Sequence, residues 1–408
     1  MAKGKRIAFI CHPYHRGGVT RWMADAANEW SGQGNEVYFV TVDPVKEFHS
    51  AHGKETLIQL IRKNDQGVKL LTEPAGYEFE FGTPEYRTWI YKKLIAQIPA
   101  GTPIILSDDH SVWAAATALN TYYPVIGVMH ADENHYYDLA EKYFRQVDVF
   151  TCVSTRVNMI TTSRVPGFDP AHIYTIPCGI NLPEFTLSSR KDKVLQLVFV
   201  GRISEYQKRA GDLVKIADLL AKKGVEFRMK IIGEGPLKSV LESEVETHGL
   251  KEYVSFPGWL SQQEVARNLS ESDILVLTSD FEGTPIAMME AFAAGCGMVG
   301  TRVSGIEDYE RHPLAGDCLG VYQVGAIEEA VEQIIRISKI AIDKRKKAAR
   351  RLAESEFSMQ VCLDRYLIAM GAIKSRKDAT PEIKFPVGGL IYSRLIALSR
   401  AIKVRLMK

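Results

Sequence analysis

The chain has 408 residues, 46% of them apolar and 25% charged, which is ordinary globular composition, too long for one domain and fitting two. A formal net charge of +2 gives no general attraction for nucleic acid, and no apolar run is long enough to span a bilayer. Cys11, Cys152, Cys178, Cys296, Cys318 and Cys362 are scattered without a Cys-x-x-Cys pair, which argues against a disulfide framework or zinc site and for a reducing cytoplasm.

The opening residues, MAKGKRIAFICHPY, read as a short basic lead into a strand rather than a signal peptide. In the first half, RIAFIC, EVYFVTV, PIILS, VIGVMH and VFTCVS are near-continuous apolar runs, as expected of parallel strands buried on both faces. In the second half, LQLVFVG, FRMKIIG, YVSFPG, ILVLTS and GMVGT repeat that character. Helical patterns such as GGVTRWMADAANEWSGQG and RAGDLVKIADLLAKKG alternate with them. The alternation predicts two doubly wound, Rossmann-like α/β domains of residues 1–186 and 187–373, facing each other across a cleft. The polar stretch 183–193 reads as the linker. Near the end, helices are predicted over 327–339 and 342–372. A basic amphipathic tail, 374–408, follows, with Ile391, Leu395, Leu398 and Ile402 on one stripe and Arg394, Arg400, Lys403, Arg405 and Lys408 around it. Two readings of the 389–408 helix stand: a closing helix packed on the body, or a foot on an anionic membrane surface.

Ligands of doubly wound sheets collect at the carboxyl ends of the strands. After ILVLTS the chain turns through Asp280, Phe281, Glu282 and Gly283 into a helix that Thr284 is expected to cap, with Pro285 at its first position. No acid stands in its first turn, and a capping box would need Glu or Gln where Ala287 stands. Such a start is an anion site, and Gly283 lets a ligand approach the backbone closely. Glu290 can accept both hydrogen bonds of a vicinal diol, while Glu282 faces a second polyhydroxyl group. Together they outline one ligand: sugar, diphosphate, ribose. Arg202 follows the buried strand of VFVGR, and Lys208 comes six residues later; both supply charge for phosphate. Gly17 and Gly18 open a helix in the first domain, where backbone N–H groups are able to meet phosphate. His130 ends VIGVMH, and its position allows a structural or a functional role equally. Gly233 and Gly235 lack the third glycine of a dinucleotide fingerprint, since Lys238 stands there. Asp108, Asp109 and His110 lack metal-ligand spacing and read as loop polar groups, with a place near the acceptor as the functional reading. No Asp-x-Asp occurs, so no metal is expected.

These residues resemble the retaining glycosyltransferases of family four, which have the GT-B fold. Glu282 and Glu290 match that family's Glu-x7-Glu motif, VGRISEYQK its Gly-Arg-Leu…Lys segment, and IIGEGP, VSFPGWLSQQEV, ESDILVLTSDFEGTP and EAFAAG follow in the family's order. The resemblance covers most of the chain and is most specific over residues 195–305. It implies that Arg202 and Lys208 bind the donor diphosphate and that Glu290 holds ribose. It also implies that Glu282 and the backbone of Gly283, Thr284, Pro285 and Ile286 meet sugar and phosphate. Gly17 and Gly18 would close over the diphosphate, His130 would contact the sugar, and the base would lie near Trp259. A C-terminal helix near residues 364–373 is expected to cross back to the first domain. Cys178, Asn181 and Gly297 depart from the family's Asn, Asp and Pro.

The implied function is metal-independent, retaining transfer of a sugar from a nucleotide sugar, UDP preferred over GDP, with no cofactor. The acceptor is a glycan or lipid-linked saccharide of polysaccharide or glycolipid biosynthesis. A cytoplasmic enzyme, peripheral on the inner face of the membrane, is expected. The alternatives are a nucleotide-sugar epimerase of the same architecture and a catalytically silent nucleotide-sugar-binding protein.

Overall fold

The computed structural model describes residues 5–13, 18–43, 57–63, 66–187, 194–373, 376, 378–384, 395–397 and 399. The first domain holds β1 (Arg6–Ile10), β2 (Glu36–Val40), β3 (Lys69–Leu71), β4 (Ile104–Leu106), β5 (Val125–Met129), β6 (Val149–Cys152) and β7 (Ile173–Thr175). They form one parallel sheet in the order β3-β2-β1-β4-β5-β6-β7. The second domain holds β8 (Leu195–Val200), β9 (Phe227–Ile232), β10 (Val254–Gly258), β11 (Ile274–Leu277), β12 (Gly297–Thr301) and β13 (Leu319–Tyr322). Their order, again all parallel, is β10-β9-β8-β11-β12-β13. Strand order reverses between β1 and β4 in one sheet and between β8 and β11 in the other, so each domain has its ligand crevice at that switch.

All ten predicted strands form. The three that the sequence did not announce, β3, β7 and β13, are edge strands of three or four residues. An edge strand is covered less completely and needs no continuous apolar run. Their partly exposed Lys69, Thr175 and Val321 fit that position.

Beyond the second sheet the predicted helix 342–372 is two helices, Ile342–Glu356 and Met359–Met370. The break is where the chain crosses between domains. Phe357 O accepts from Ile180 N at 2.8 Å, and Met359 N donates to Ile180 O at 2.9 Å. Ser358 caps the new helix through its hydroxyl. That helix then lies on the first domain: Tyr366 OH meets Thr151 Oγ1 at 3.0 Å, and its ring packs 5.9 Å from Trp22. Trp22, Ile180, Met359, Cys362 and Tyr366 join the buried side of the first sheet to the second domain's core in one apolar cluster. The crossover therefore sets how the crevices face each other. The second domain is locked internally by a buried ion pair, Arg345 Nη2 to Asp273 Oδ1 at 2.6 Å, which pins the helix Ile342–Glu356 to the base of β11. The tail reading falls mainly outside the described residues.

Candidate active site

Lys208 leaves the loop after β8, and Glu282 leaves the loop after β11, so the two come from opposite sides of the second sheet's switch. Their side chains meet at 2.6 Å, with Glu282 buried. Ser279 Oγ donates to the same carboxylate oxygen, Oε1, at 2.6 Å. Oε2 of Glu282 has no hydrogen-bond partner among the described residues. The Lys208 loop is clamped against the Glu282 loop: Thr278 Oγ1 donates to Lys208 O at 2.7 Å, and Asp280 N donates to Gln207 O at 2.8 Å. Gln207 and Arg209, on either side of Lys208, have φ of 69° and 44°. Left-handed non-glycine residues cost energy and persist where the surroundings hold them. Arg209 is committed to Asp212 at 2.8 Å and to Asp280 at 3.4 Å, so it is not a second phosphate cation. Arg202 is exposed at the end of β8 and makes no ion pair among the described residues.

The following helix begins at Ile286, one residue later than the sequence suggested, with Pro285 at the capping position. Thr284 does not cap it. Its hydroxyl donates instead to Val153 O, 2.5 Å away in the first domain. The helix start therefore has no side-chain cap and no acid in its first turn. Its free N–H groups and positive dipole end remain available to an anion.

Across the crevice, His130 follows β5. It is buried between Trp22 and Tyr136, with ring centroids 5.4 and 6.1 Å away. Neither ring nitrogen has a hydrogen-bond partner among the described residues. Burial lowers its pKa to about 4, against a smaller upward pull from Asp108, so the imidazole is neutral at pH 7. A buried polar ring without a partner costs energy unless a ligand completes it.

The two loops touch directly. Asp132 N donates to Glu282 O at 3.1 Å, Ser154 and Ser304 hydroxyls meet at 2.6 Å, and Thr155 N donates to Asp308 at 2.7 Å. Gly18, at the start of the helix Gly18–Gly32, packs on Ile286. Gly17 lies outside the described residues. Glu290, one turn beyond Ile286, is half-buried and faces the first-domain helix. Trp259 is exposed just beyond the end of β10, two strands from β8.

Sequence reasoning missed the switch of the first sheet. His12, after β1, lies 3.3 Å from Asp108, after β4, and His135 Nε2 meets Asp108 O at 2.6 Å. Burial pushes the Asp108 carboxyl up, but the hydrogen bond and charge of His12 outweigh it and hold it well below the usual range. Asp109, its neighbour, is a helix cap for Ser111 and Val112. The position of each after a strand was the available signal, but their pairing is set by β1–β4 adjacency, which sequence order hides.

Comparison with known proteins agrees with this architecture. The family model described as Glycosyltransferase Family 4 matches residues 16–184, and that described as Glycosyl transferases group 1 matches residues 185–353. The putative colanic acid biosynthesis glycosyltransferase WcaL of Salmonella typhimurium is 27% identical over 237 residues. That match spans 56% of this chain and 57% of WcaL, so the chain covers little more than half the length of this curated relative. Glycogen synthase of Mycobacterium tuberculosis is 23% identical over 91% of this chain and 94% of its own. Among solved structures, an S. aureus TarM mutant in complex with fondaparinux, alpha-GlcNAc-glycerol and UDP has a TM-score of 0.72 at 13% identity, covering 90% of this chain and 99% of TarM. Anabaena HepE in complex with UDP and glucose has a TM-score of 0.69 at 12% identity, covering 90% of this chain and 100% of HepE. With family four matched over the first domain, group 1 over the second, and the GT-B arrangement in both solved structures, the chain belongs to the family-four type of GT-B glycosyltransferases.

Proposed function

We propose that the chain transfers a sugar from a nucleoside-diphosphate donor to a saccharide or lipid-linked acceptor, without metal and with retention of anomeric configuration. One observation carries the reading: the Lys208–Glu282 pair, 2.6 Å apart, stands at the sheet's switch beside an uncapped helix start and opposite a buried histidine that has no partner among the described residues. Lys208, Arg202 and the start of the helix Ile286–Ala293 supply fixed positive charge for a diphosphate, and most of all for one leaving with added charge. That charge does the work a bound metal would do. Oε2 of Glu282 is open to a sugar hydroxyl, and neutral His130 offers it one donor and one acceptor. No described group is set as a base, which accords with a departing phosphate oxygen that takes the acceptor's proton on the same face. The open cation at Arg202 and the diol-accepting carboxylate of Glu290 extend the site toward a nucleoside near Trp259.

UDP is the preferred nucleotide, in keeping with the UDP in the TarM and HepE complexes. A role in surface polysaccharide or glycolipid assembly accords with WcaL. The basic tail 389–408 would bring the enzyme to an anionic membrane face on the cytoplasmic side. The test is calorimetric titration of UDP and GDP in excess EDTA, followed by NMR of the anomeric proton of the transferred sugar. Nucleotide binding in EDTA and a product with the donor's configuration support the reading. Absence of binding by either nucleotide, or an inverted product, overturns it.

A further inference from the structure

Arg21 lies one turn along its helix from Gly18, and Glu290 lies one turn along its own helix from Ile286. Gly18 and Ile286 touch across the domain boundary, a Cβ on Gly18 falling 2.7 Å from Ile286 Cγ1. That contact brings the Arg21 and Glu290 faces together, and the guanidinium acts electrostatically on the Glu290 carboxyl. The guanidinium is itself fixed: Nε donates to Asp25 at 2.6 Å, and Nη2 stands 3.6 Å from Glu184. Glu184 lies between the domains and is held by Asn181 at 3.1 Å and by Gln262, of the second domain, at 2.7 Å. One cation thus holds carboxylates of the first domain and the linker, and its field reaches a third in the second domain.

We propose that Arg21 is a positioning residue for nucleoside binding: anchored on Asp25 and Glu184 beside the Gly18–Ile286 contact, it sets its positive charge from the first domain beside Glu290 of the second, so that the ribose diol is gripped only when the domains are together. The inference rests on the nucleotide reading above and adds a residue to it. A carboxylate accepts both hydroxyls of a diol, whereas a protonated carboxyl gives up part of that capacity. Ionisation of Glu290 is finely balanced. Burial raises its pKa to about 7, Arg21 pulls it down, and Glu184 and Asp25 push it up. Among the described residues those three are the charged groups that act on it. Asp25 is raised to about 6 by burial against the pull of the same Arg21. Solvent reaches the cluster through an adjoining cavity of about 540 Å³ bordered by Asp25, Asn28, Asn181 and Glu184, so these groups titrate with the bulk.

The experiment is calorimetric titration of UDP and GDP into the full chain between about pH 6 and 9. Wild type is compared with Arg21→Met, Arg21→Lys and Glu184→Gln, each checked for an unchanged unfolding midpoint. The phosphate's own titration is common to all and cancels. Arg21→Met should weaken binding about fivefold at pH 7, the effect of raising the Glu290 pKa by about one unit from about 7, with recovery at alkaline pH. Arg21→Lys should restore most of the affinity. Glu184→Gln should act in the opposite sense and tighten binding near pH 6. An Arg21→Met protein with wild-type affinity and pH profile overturns the inference while leaving the nucleotide reading intact. Equal loss at every pH in both Arg21 variants also overturns it, as damage to the helix. Failure of wild type to bind either nucleotide removes the proposed function and this inference with it.

Discussion

The carbonyl oxygen of His130 occupies the space where a side chain on Gly283 would begin, 2.0 Å from an ideal Cβ. The neighbouring atom is backbone, so it has no rotamer to escape into. Gly283→Ala must therefore push the first-domain loop away from the Glu282 loop and stretch the Asp132–Glu282 hydrogen bond. A displacement of about 1 Å in a catalytic constellation costs on the order of 100-fold in rate. We expect that loss in kcat/KM, with both domains still folded by circular dichroism.

Lys208→Ala removes the cation that meets Glu282 at 2.6 Å. Turnover of the donor should fall about 100-fold or more, the usual scale for losing one transition-state charge contact. Arg202→Ala should fall on the same scale, although Arg202 is exposed and has no ion pair among the described residues to lose. Steady-state kinetics with saturating donor decides both; near-normal rates remove these residues from the mechanism.

His130 links folding to pH. Its pKa is about 4 in the folded chain against 6.5 as a free side chain. Between those values the unfolded state holds a proton that the folded state rejects, so this group's contribution weakens as pH falls. The penalty is about 2 kcal/mol at pH 5 relative to pH 7. Asp25 and Glu290 are shifted upward and slope the other way, so the wild-type curve alone is ambiguous. Urea unfolding of His130→Phe against wild type isolates the term: the variant should gain about that much stability, relative to wild type, between pH 7 and pH 5.

Asp273→Ala strands Arg345, which is 1% exposed. Breaking a buried pair from one side costs about 3–5 kcal/mol. Urea unfolding of the Asp273→Ala and Asp273→Ala/Arg345→Met variants should give a double variant clearly more stable than the single one.

Deleting residues 389–408 should weaken binding to anionic phosphatidylglycerol vesicles in a co-sedimentation assay and spare donor hydrolysis. Unchanged binding removes the membrane reading of that segment.

Much of this was legible in the chain because parallel strands buried on both faces carry continuous apolar runs, and because site residues follow those runs. Lys208 and Glu282 were both marked as strand-end residues, but their pairing was not, since it depends on β8 and β11 being neighbours. Thr284 looked like a cap because local chemistry favours one there; the carbonyl of Val153, 131 residues distant, takes its hydroxyl instead. The break at Phe357 was hidden for the same reason: helical periodicity continues through it, and the Ile180 backbone that interrupts it belongs to the other domain. His12 with Asp108, and Arg21 with Glu184 and Glu290, are likewise products of long-range packing.

A crystal structure with UDP bound in the presence of EDTA tests the central claim most directly. The account expects the diphosphate to lie between Lys208, Arg202 and the first N–H groups of the helix Ile286–Ala293, with the ribose hydroxyls on Glu290. A nucleotide seated elsewhere, or in that crevice with Lys208 still bound only to Glu282 and Arg202 turned to solvent, would contradict it.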